Sequence, residues 1–281
     1  MALAASQIEP TLADGEFQRF ADFFYSRTGI QFAANKRYFV DRRLVERLRK
    51  SGHASVREYL EALKHDALEY QALVNTMTVN ETYFYRERYQ FDCLVQSILP
   101  ALIPTLRSKR LRIWSMPCST GEEPYSIAFY LLEHWRHVDD YDVEIVASDI
   151  DTEALAKARE GVYGPRALQH VPKATLAKYT ADIGGGDRQI HAALRNSIQF
   201  ASANLLGGLD ERLYRDFNVV FCRNLLIYFD DTSRREAATA LYDSMAKGGF
   251  ICLGHSESMS RMSSLFQLVK FPEAIVYRKP V

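Results

Sequence analysis

An α/β fold is predicted for the larger part of this 281-residue chain, behind a shorter all-helical segment. Three observations carry that expectation. From about residue 111 short apolar runs alternate with helical stretches: LRIWSM then EPYSIAFYLLEHW, VEIVASD then TEALAKARE, FNVVFC then RREAATALYDSMA, and finally GFICLG. The strand-like runs are hydrophobic, as strands of a parallel sheet covered on both faces must be. The first 75 or so residues lack any alternating β-branched run. They space apolar residues at helical intervals, as in Phe17, Phe20 and Phe24 and again in Val56, Tyr59, Leu60 and Leu63.

Composition narrows the class. With 47% hydrophobic and 25% charged residues the chain has globular rather than disordered character. Its 35 basic and 35 acidic residues cancel, which argues against a general nucleic-acid binder. No apolar run approaches the roughly 18 residues of a membrane helix. The opening MALAASQIEP has neither the basic region nor the apolar core of a secretory signal. Four widely spaced cysteines, Cys93, Cys118, Cys222 and Cys252, fit reduced, mostly buried thiols. A cytoplasmic protein is expected, with no metal ligand cluster.

Taken in order, residues 1–75 form a helical domain, 76–90 a connection and 91–281 the α/β domain. The connection is not built like a plain linker, which is rich in Gly, Ser or Pro. Asn80-Glu81-Thr82-Tyr83-Phe84-Tyr85-Arg86 is dense in aromatic and hydrogen-bonding groups and reads as a lid over a cleft; its aromatic residues pack over a ligand or in the core. Gly184-Gly185-Gly186 and the mixed segments around it break the strand–helix rhythm, marking an insertion at about 165–200. FQLVKF and AIVYRK form a closing antiparallel pair about the Pro272-Glu273 turn.

Ligands of such sheets bind at the carboxyl ends of the strands. The first strand runs into CSTGEEPYS, where Gly121 allows a tight turn, Ser119 or Thr120 can cap the next helix, and Pro124 suits its first turn. Glu122 and Glu123 occupy the helix start that phosphate-binding versions leave bare. They either serve the helix dipole or accept an ammonium group. Asp149 ends the second strand, where an acid commonly binds ribose hydroxyls, while Asp151 or Thr152 is a helix cap. Together these point to S-adenosylmethionine rather than NAD or ATP. The FNVVFC strand ends in Arg223-Asn224, followed by Tyr228, either facing the cleft or forming a capped turn packed in the core. The Pro-Pro-Tyr of amine methylases is absent there, which disfavours an exocyclic-amine substrate.

NETYFYR (80–86), STGEEPYS (119–126), SDID (148–151), CRNLLIYF (222–229) and GHSES (254–258) occur in this order, and together the chain resembles the CheR family over residues 15–279. These are chemotaxis methyltransferases that esterify glutamates of chemoreceptors. The resemblance implies a small all-α domain before a Rossmann-like S-adenosylmethionine-dependent methyltransferase domain with an inserted antiparallel β-subdomain. It implies that Asn80, Thr82, Arg86, Glu123, Asp149, Asn204, Leu205, Arg223 and Asn224 line the cofactor site, with Arg86 and Tyr228 nearest the transferred methyl group. The product is S-adenosylhomocysteine, and no metal is called for. His255 of GHSES is expected to support the cleft floor, and His134 and His137 to be structural.

Residues 36–50 carry seven basic and two acidic side chains. On a helix Lys36, Arg43, Arg47 and Lys50 share one face, with Val40, Leu44 and Leu48 on another. Such a face is either solvated or a docking surface. The resemblance favours recognition of acidic receptor helices by Lys36, Arg43, Arg47, Arg49 and Lys50, the protein acting as a monomer. The Tyr179–Asn204 segment is about three residues shorter than in members that tether to a receptor pentapeptide, so independence of that tether is expected. The competing readings are a same-fold methyltransferase acting on another protein or a small carboxylic acid, and a non-catalytic cofactor sensor.

Overall fold

The computed structural model describes residues 12–32 and 36–281; the N-terminal stretch read for a targeting signal lies outside them. The chain divides into two compact units between Val79 and Asn80. No helix among the described residues is long and apolar enough to cross a membrane.

Among its described residues the first unit has four α-helices: α1 (Asp14–Thr28), α2 (Arg37–Ser51), α3 (Val56–Ala62) and α4 (Ala67–Met77). Their ends follow from local chemistry. Gly29 and Gly52 take left-handed φ values of 71° and 74° and close α1 and α2. Ser55 and Asp66 accept the backbone N–H of Glu58 and Glu69 at 3.2 and 2.9 Å, opening α3 and α4. Phe20, Phe24, Val40, Leu44, Tyr59 and Leu73 are fully buried and form the core of this unit.

The second unit opens with the segment 80–88, so most of the expected connection belongs to it. Then come α5 (Tyr89–Cys93), a π turn (Leu94–Ile98) and α6 (Leu99–Leu102). The sheet strands are β1 (Arg110–Ser115), β2 (Asp142–Asp149), β6 (Ile198–Ser202), β7 (Phe217–Cys222), β8 (Met245–Leu253), β9 (Gln267–Lys270) and β10 (Ile275–Arg278). They lie in the order β6-β2-β1-β7-β8-β10-β9. The pairs β6–β2, β2–β1, β1–β7 and β7–β8 are parallel, and β10 runs antiparallel to both β8 and β9. The helices are α7 (Glu122–His134), α8 (Thr152–Glu160) and α12 (Asp231–Ser244). Every residue of β7 is buried, which is why that strand reads as an unbroken apolar run.

The insertion is a three-stranded antiparallel sheet, β3 (Val162–Tyr163), β5 (Asp187–Ile190) and β4 (Thr180–Gly184). It carries α9 (Pro165–Leu168) and α10 (Lys173–Tyr179), and α11 (Ala192–Ser197) leads back to β6. Gly184, Gly185 and Gly186 all hold positive φ, 93°, 65° and 88°, in the β4–β5 hairpin. The four cysteines are buried.

Candidate active site

From β1 the chain moves to β2 and β6 on one side of the sheet, and later to β7 and β8 on the other. The reversal falls between β1 and β7, and the carboxyl ends of strands at such a point form a crevice. Four segments meet there: the 116–121 turn, Asp149, Arg223-Asn224 and the 80–88 strap. Four of the described non-glycine residues with left-handed φ lie on them: Tyr85, Glu87, Ser119 and Asn224, between 47° and 59°. Such backbone persists only where neighbours over-determine it. Here Tyr85 donates its N–H to Ser126 Oγ at 3.0 Å and Phe84 donates to the Ala167 carbonyl at 3.0 Å. Asn80 Nδ2 donates to Asp151 Oδ2 at 2.7 Å, and Asn80 Oδ1 accepts from the Ser119 hydroxyl at 3.0 Å. Phe84 and Tyr85 are therefore core, while Tyr83 packs against His170 with ring centroids 5.4 Å apart.

Arg223 is the centre of the crevice's charge. It is buried, and its Nη1 donates to Glu123 Oε2 at 2.8 Å. Nη2 lies 3.2 Å from Glu87 Oε2 and donates to the Arg86 carbonyl at 2.6 Å. Glu123 also accepts the Ser115 hydroxyl at 2.7 Å. Two carboxylates thus share one guanidinium and leave one negative charge over, while the buried Arg223 Nε has no protein partner. Burial pushes the Glu123 carboxyl above the usual range, and Arg223 and Ser115 offset only part of it. Burial also pushes Glu87 up, but Arg223 and His255 outweigh it and hold that carboxyl below its usual range. Burial alone would lower Arg223, yet the two carboxylates keep it above its ordinary value.

Asp149 ends β2 and is 4% exposed. It accepts the N–H of Ser119 at 2.7 Å and of Asp151 at 2.9 Å, and burial still lifts it to about 6. Asp151 caps α8, accepting from Glu153 and Ala154 at 2.9 Å. Neither Ser119 nor Thr120 caps α7. The cap position is Gly121 at φ 96°, because the Ser119 hydroxyl is turned to Asn80 and that of Thr120 to Glu122. A Cβ on Gly121 would stand 2.8 Å from the Tyr163 hydroxyl and 2.9 Å from Ala158 Cβ, so packing as well as φ demands glycine. Glu122 accepts the Thr120 hydroxyl at 2.6 Å, and of these two glutamates it is Glu123 that joins Arg223. Asn204 follows β6 with its Oδ1 on the Leu206 N–H at 3.1 Å, and Leu205 is buried beside it. Thr82 is half-buried on the strap.

Tyr228 closes a short 3₁₀ turn (Leu226–Tyr228) and is half-buried. Burial pushes its hydroxyl pKa up, and nearby Arg86 opposes the shift in part. Arg86 donates Nη1 to the Glu81 carbonyl at 2.7 Å and lies 6.0 Å from the Tyr83 ring. A neutral phenol and a tethered guanidinium so stand together. The turn beneath them hangs on Glu257, which accepts the N–H of Asn224 (2.9 Å), Gly254 (2.8 Å), Leu226 (2.7 Å) and Ile227 (3.3 Å). Glu257 and Glu87 were not expected from sequence. Both signals existed: Glu257 lies within GHSES, where only His255 drew notice, and a buried Arg223 needs balancing acids. His255 is at the rim rather than the floor, its side chain 71% exposed and its Nδ1 3.0 Å from Glu87. His134 ends α7 against Tyr130, and His137 lies 3.0 Å from Asp140.

In the first unit the basic helix is divided. Arg43 is half-buried, stacks on Phe39 and donates to the carbonyls of Thr76 and Thr78. Arg47 forks onto Glu69, which also accepts the Tyr59 hydroxyl at 2.6 Å. Lys36, Arg42, Arg49 and Lys50 are the exposed cations, with Lys50 on Glu46 at 2.7 Å. The face expected to hold Lys36, Arg43, Arg47 and Lys50 together therefore turns two of its arginines into the unit's own packing.

The family pattern described as CheR methyltransferase, SAM binding domain, matches residues 80–275, and that described as CheR methyltransferase, all-alpha domain, matches residues 15–78. The chain is 45% identical over 274 residues to chemotaxis protein methyltransferase 2 of Vibrio cholerae serotype O1, covering 97% of this chain and 95% of that one. It is 35% identical over 269 residues to the chemotaxis protein methyltransferase of Escherichia coli K12, covering 92% and 89%. Among solved structures it is similar to the N-methyltransferase NodS of Bradyrhizobium japonicum, at 11% identity and a TM-score of 0.39, over 70% of this chain and all of that one.

Proposed function

The chain belongs to the CheR methyltransferase family, and from that premise we propose that it methylates side-chain carboxylates of chemoreceptor glutamates, using S-adenosylmethionine. The observation that carries this reading is the meeting of two opposite requirements at one sheet edge. The Glu87–Arg223–Glu123 cluster leaves one negative charge, fitted to a cation, and Arg86 beside Tyr228 is fitted to an anion.

The residues fit the cofactor by their donor and acceptor sets. Asp149 keeps lone-pair capacity beyond the backbone N–H groups of Ser119, Ile150 and Asp151 for ribose hydroxyls. Glu123 takes the ammonium end, with Arg223 holding Glu123 in place and its unpartnered Nε available to a carboxylate. Asn80, Thr82, Asn204, Leu205 and Asn224 complete the lining, and Arg86 borders it. When bound, the cofactor supplies a methyl carbon on a sulfonium, open to attack in line.

A receptor glutamate has a pKa near ~4.3 and is already a carboxylate at neutral pH, so no general base is needed. Arg86 and Tyr228 hold that carboxylate by hydrogen bonds that orient it while leaving it ionised. Orientation of this kind is worth up to roughly 7–11 kcal/mol. Arg86→Ala is expected to lower kcat by roughly a hundredfold; near-wild-type turnover contradicts the role.

Lys36, Arg49 and Lys50 meet acidic receptor helices, with Arg43 and Arg47 bracing the surface that presents them. The protein acts in the cytoplasm, as a monomer, and without a pentapeptide tether. Labelled S-adenosylmethionine supplied with receptor cytoplasmic fragments tests the reading. Base-labile label on receptor, unaffected by deleting the receptor's C-terminal pentapeptide, is expected. Label on small carboxylic acids alone, or cofactor binding without transfer, contradicts it.

A further inference from the structure

Beside the Leu226–Tyr228 turn lies a groove of about 400 Å³ whose lining includes none of the residues proposed above for the cofactor. One side is Leu226-Ile227, and Ser256, Glu257, Ser258, Arg261 and Met262 supply the other. The start of α12 contributes Arg234 and Arg235, and Arg261 adds a third arginine to the lining. The acids of this groove are already committed. Asp231 is bonded to Arg234 at 3.1 Å, and Glu257 is taken up by backbone N–H groups. Arg234 is further held by its Nε on the Leu226 carbonyl at 3.0 Å.

Arg235 and Arg261 differ. Both are exposed, and among the described residues the guanidinium of neither makes an ion pair, side-chain hydrogen bond or ring contact. Between them Ile227 is 45% exposed, an apolar group displayed one residue from Tyr228. Glu257, itself on the lining, joins the two sides by accepting from Leu226 and Ile227, and it also accepts from Asn224 and Gly254. The groove is thus held to the same turn that carries Tyr228.

We propose that this groove is a docking subsite for the protein substrate, in which Arg235 and Arg261 engage acidic side chains flanking the acceptor glutamate while Ile227 packs against the substrate's apolar face. The inference rests on the reading that the substrate is a glutamate-bearing protein helix. Charge complementarity selects the occupant: two unspent cations around an apolar spot match an acidic amphipathic segment. A site that recognises a single glutamate by Arg86 and Tyr228 alone has little to distinguish one surface carboxylate from another. Cations a few residues from the reacting group supply that distinction through the neighbours of the acceptor.

The full chain carrying Arg235→Glu with Arg261→Glu, and the milder pair Arg235→Gln with Arg261→Gln, tests this against a receptor cytoplasmic fragment. KM for the fragment is expected to rise about tenfold in the reversed variant and roughly threefold in the neutral one. The turnover at saturating fragment and the KM for S-adenosylmethionine should stay within about twofold, and the rise of fragment KM with salt should become shallower. Fragment KM and salt dependence equal to wild type in both variants overturn the subsite while leaving the parent reading intact. Failure of the wild-type chain to methylate any receptor fragment defeats the parent reading, and the subsite with it.

Discussion

Asp149 shows how one buried group sets both the stability and the pH range of the site. Burial lifts its carboxyl to about 6 although Ser119 and Asp151 donate to it. Above that pH both oxygens accept; below it one carries a proton and an acceptor is lost. Affinity for S-adenosylmethionine should therefore fall as pH drops through about 6. Calorimetric titration across pH 5–8 checks this, and Asp149→Asn should weaken binding and flatten that pH dependence. The sign for the fold is opposite. A carboxyl raised above its unfolded value of ~3.9 makes the protein without cofactor more stable as pH falls through the interval between the two values. Glu257 acts at the same scale by geometry, its two oxygens taking four backbone donors. In Glu257→Gln the amide presents N–H to N–H, leaving buried donors unpaired at a cost of about 1–3 kcal/mol. Denaturant unfolding measures that cost, and kcat for receptor methylation should fall with it because Tyr228 rides on the same turn.

At the scale of elements, α2 separates bracing from display. Arg47 is tied to Glu69 and, through it, to Tyr59, while Arg49 and Lys50 point to solvent. Arg47→Ala should lower stability by about 1 kcal/mol, read from chemical denaturation. Arg49→Gln with Lys50→Gln should cost only a little stability, through the lost Lys50–Glu46 pair, but raise the KM for receptor fragments and reduce its salt dependence. A reversed pattern would show that Arg47 is the contact residue. The strap 80–88 is the other element whose role its sequence only half disclosed. Its density of aromatic and polar groups marked it as more than a linker. That Phe84 and Tyr85 are core while Arg86 and Glu87 border the crevice depends on left-handed turns fixed by tertiary partners such as Ser126. Local pattern carries no signal for those.

Across the whole molecule, the zero net charge is a sum of unlike regions. Residues 139–153 carry seven acids and no base, yet Glu144 is bonded to Arg110 and Arg112 at the far end of β2. Only Asp149 and Asp151 of that run reach the sheet edge, and the rest of the site's negative charge comes from Glu87 and Glu123. The strand–helix alternation was legible because burial on both faces forces apolar strands. The ends Asp149, Arg223 and Gly121 were legible because strand termini are where such sheets do chemistry. The Arg223 cluster was not, since it joins residues 87, 123 and 223 through space. Arg223→Met should destabilise the second unit by about 3–5 kcal/mol, measured by denaturant unfolding, because two buried carboxylates lose their shared cation.

The most direct measurement is tandem mass spectrometry of a receptor cytoplasmic fragment after incubation with the full chain and S-adenosylmethionine. The expected result is one methyl group on a glutamate side chain, removed by mild base and formed roughly a hundredfold more slowly when Arg86 is replaced by alanine. A methyl group on nitrogen, a base-stable modification, or an unmodified fragment in the presence of bound cofactor would contradict carboxylate methylation at this site.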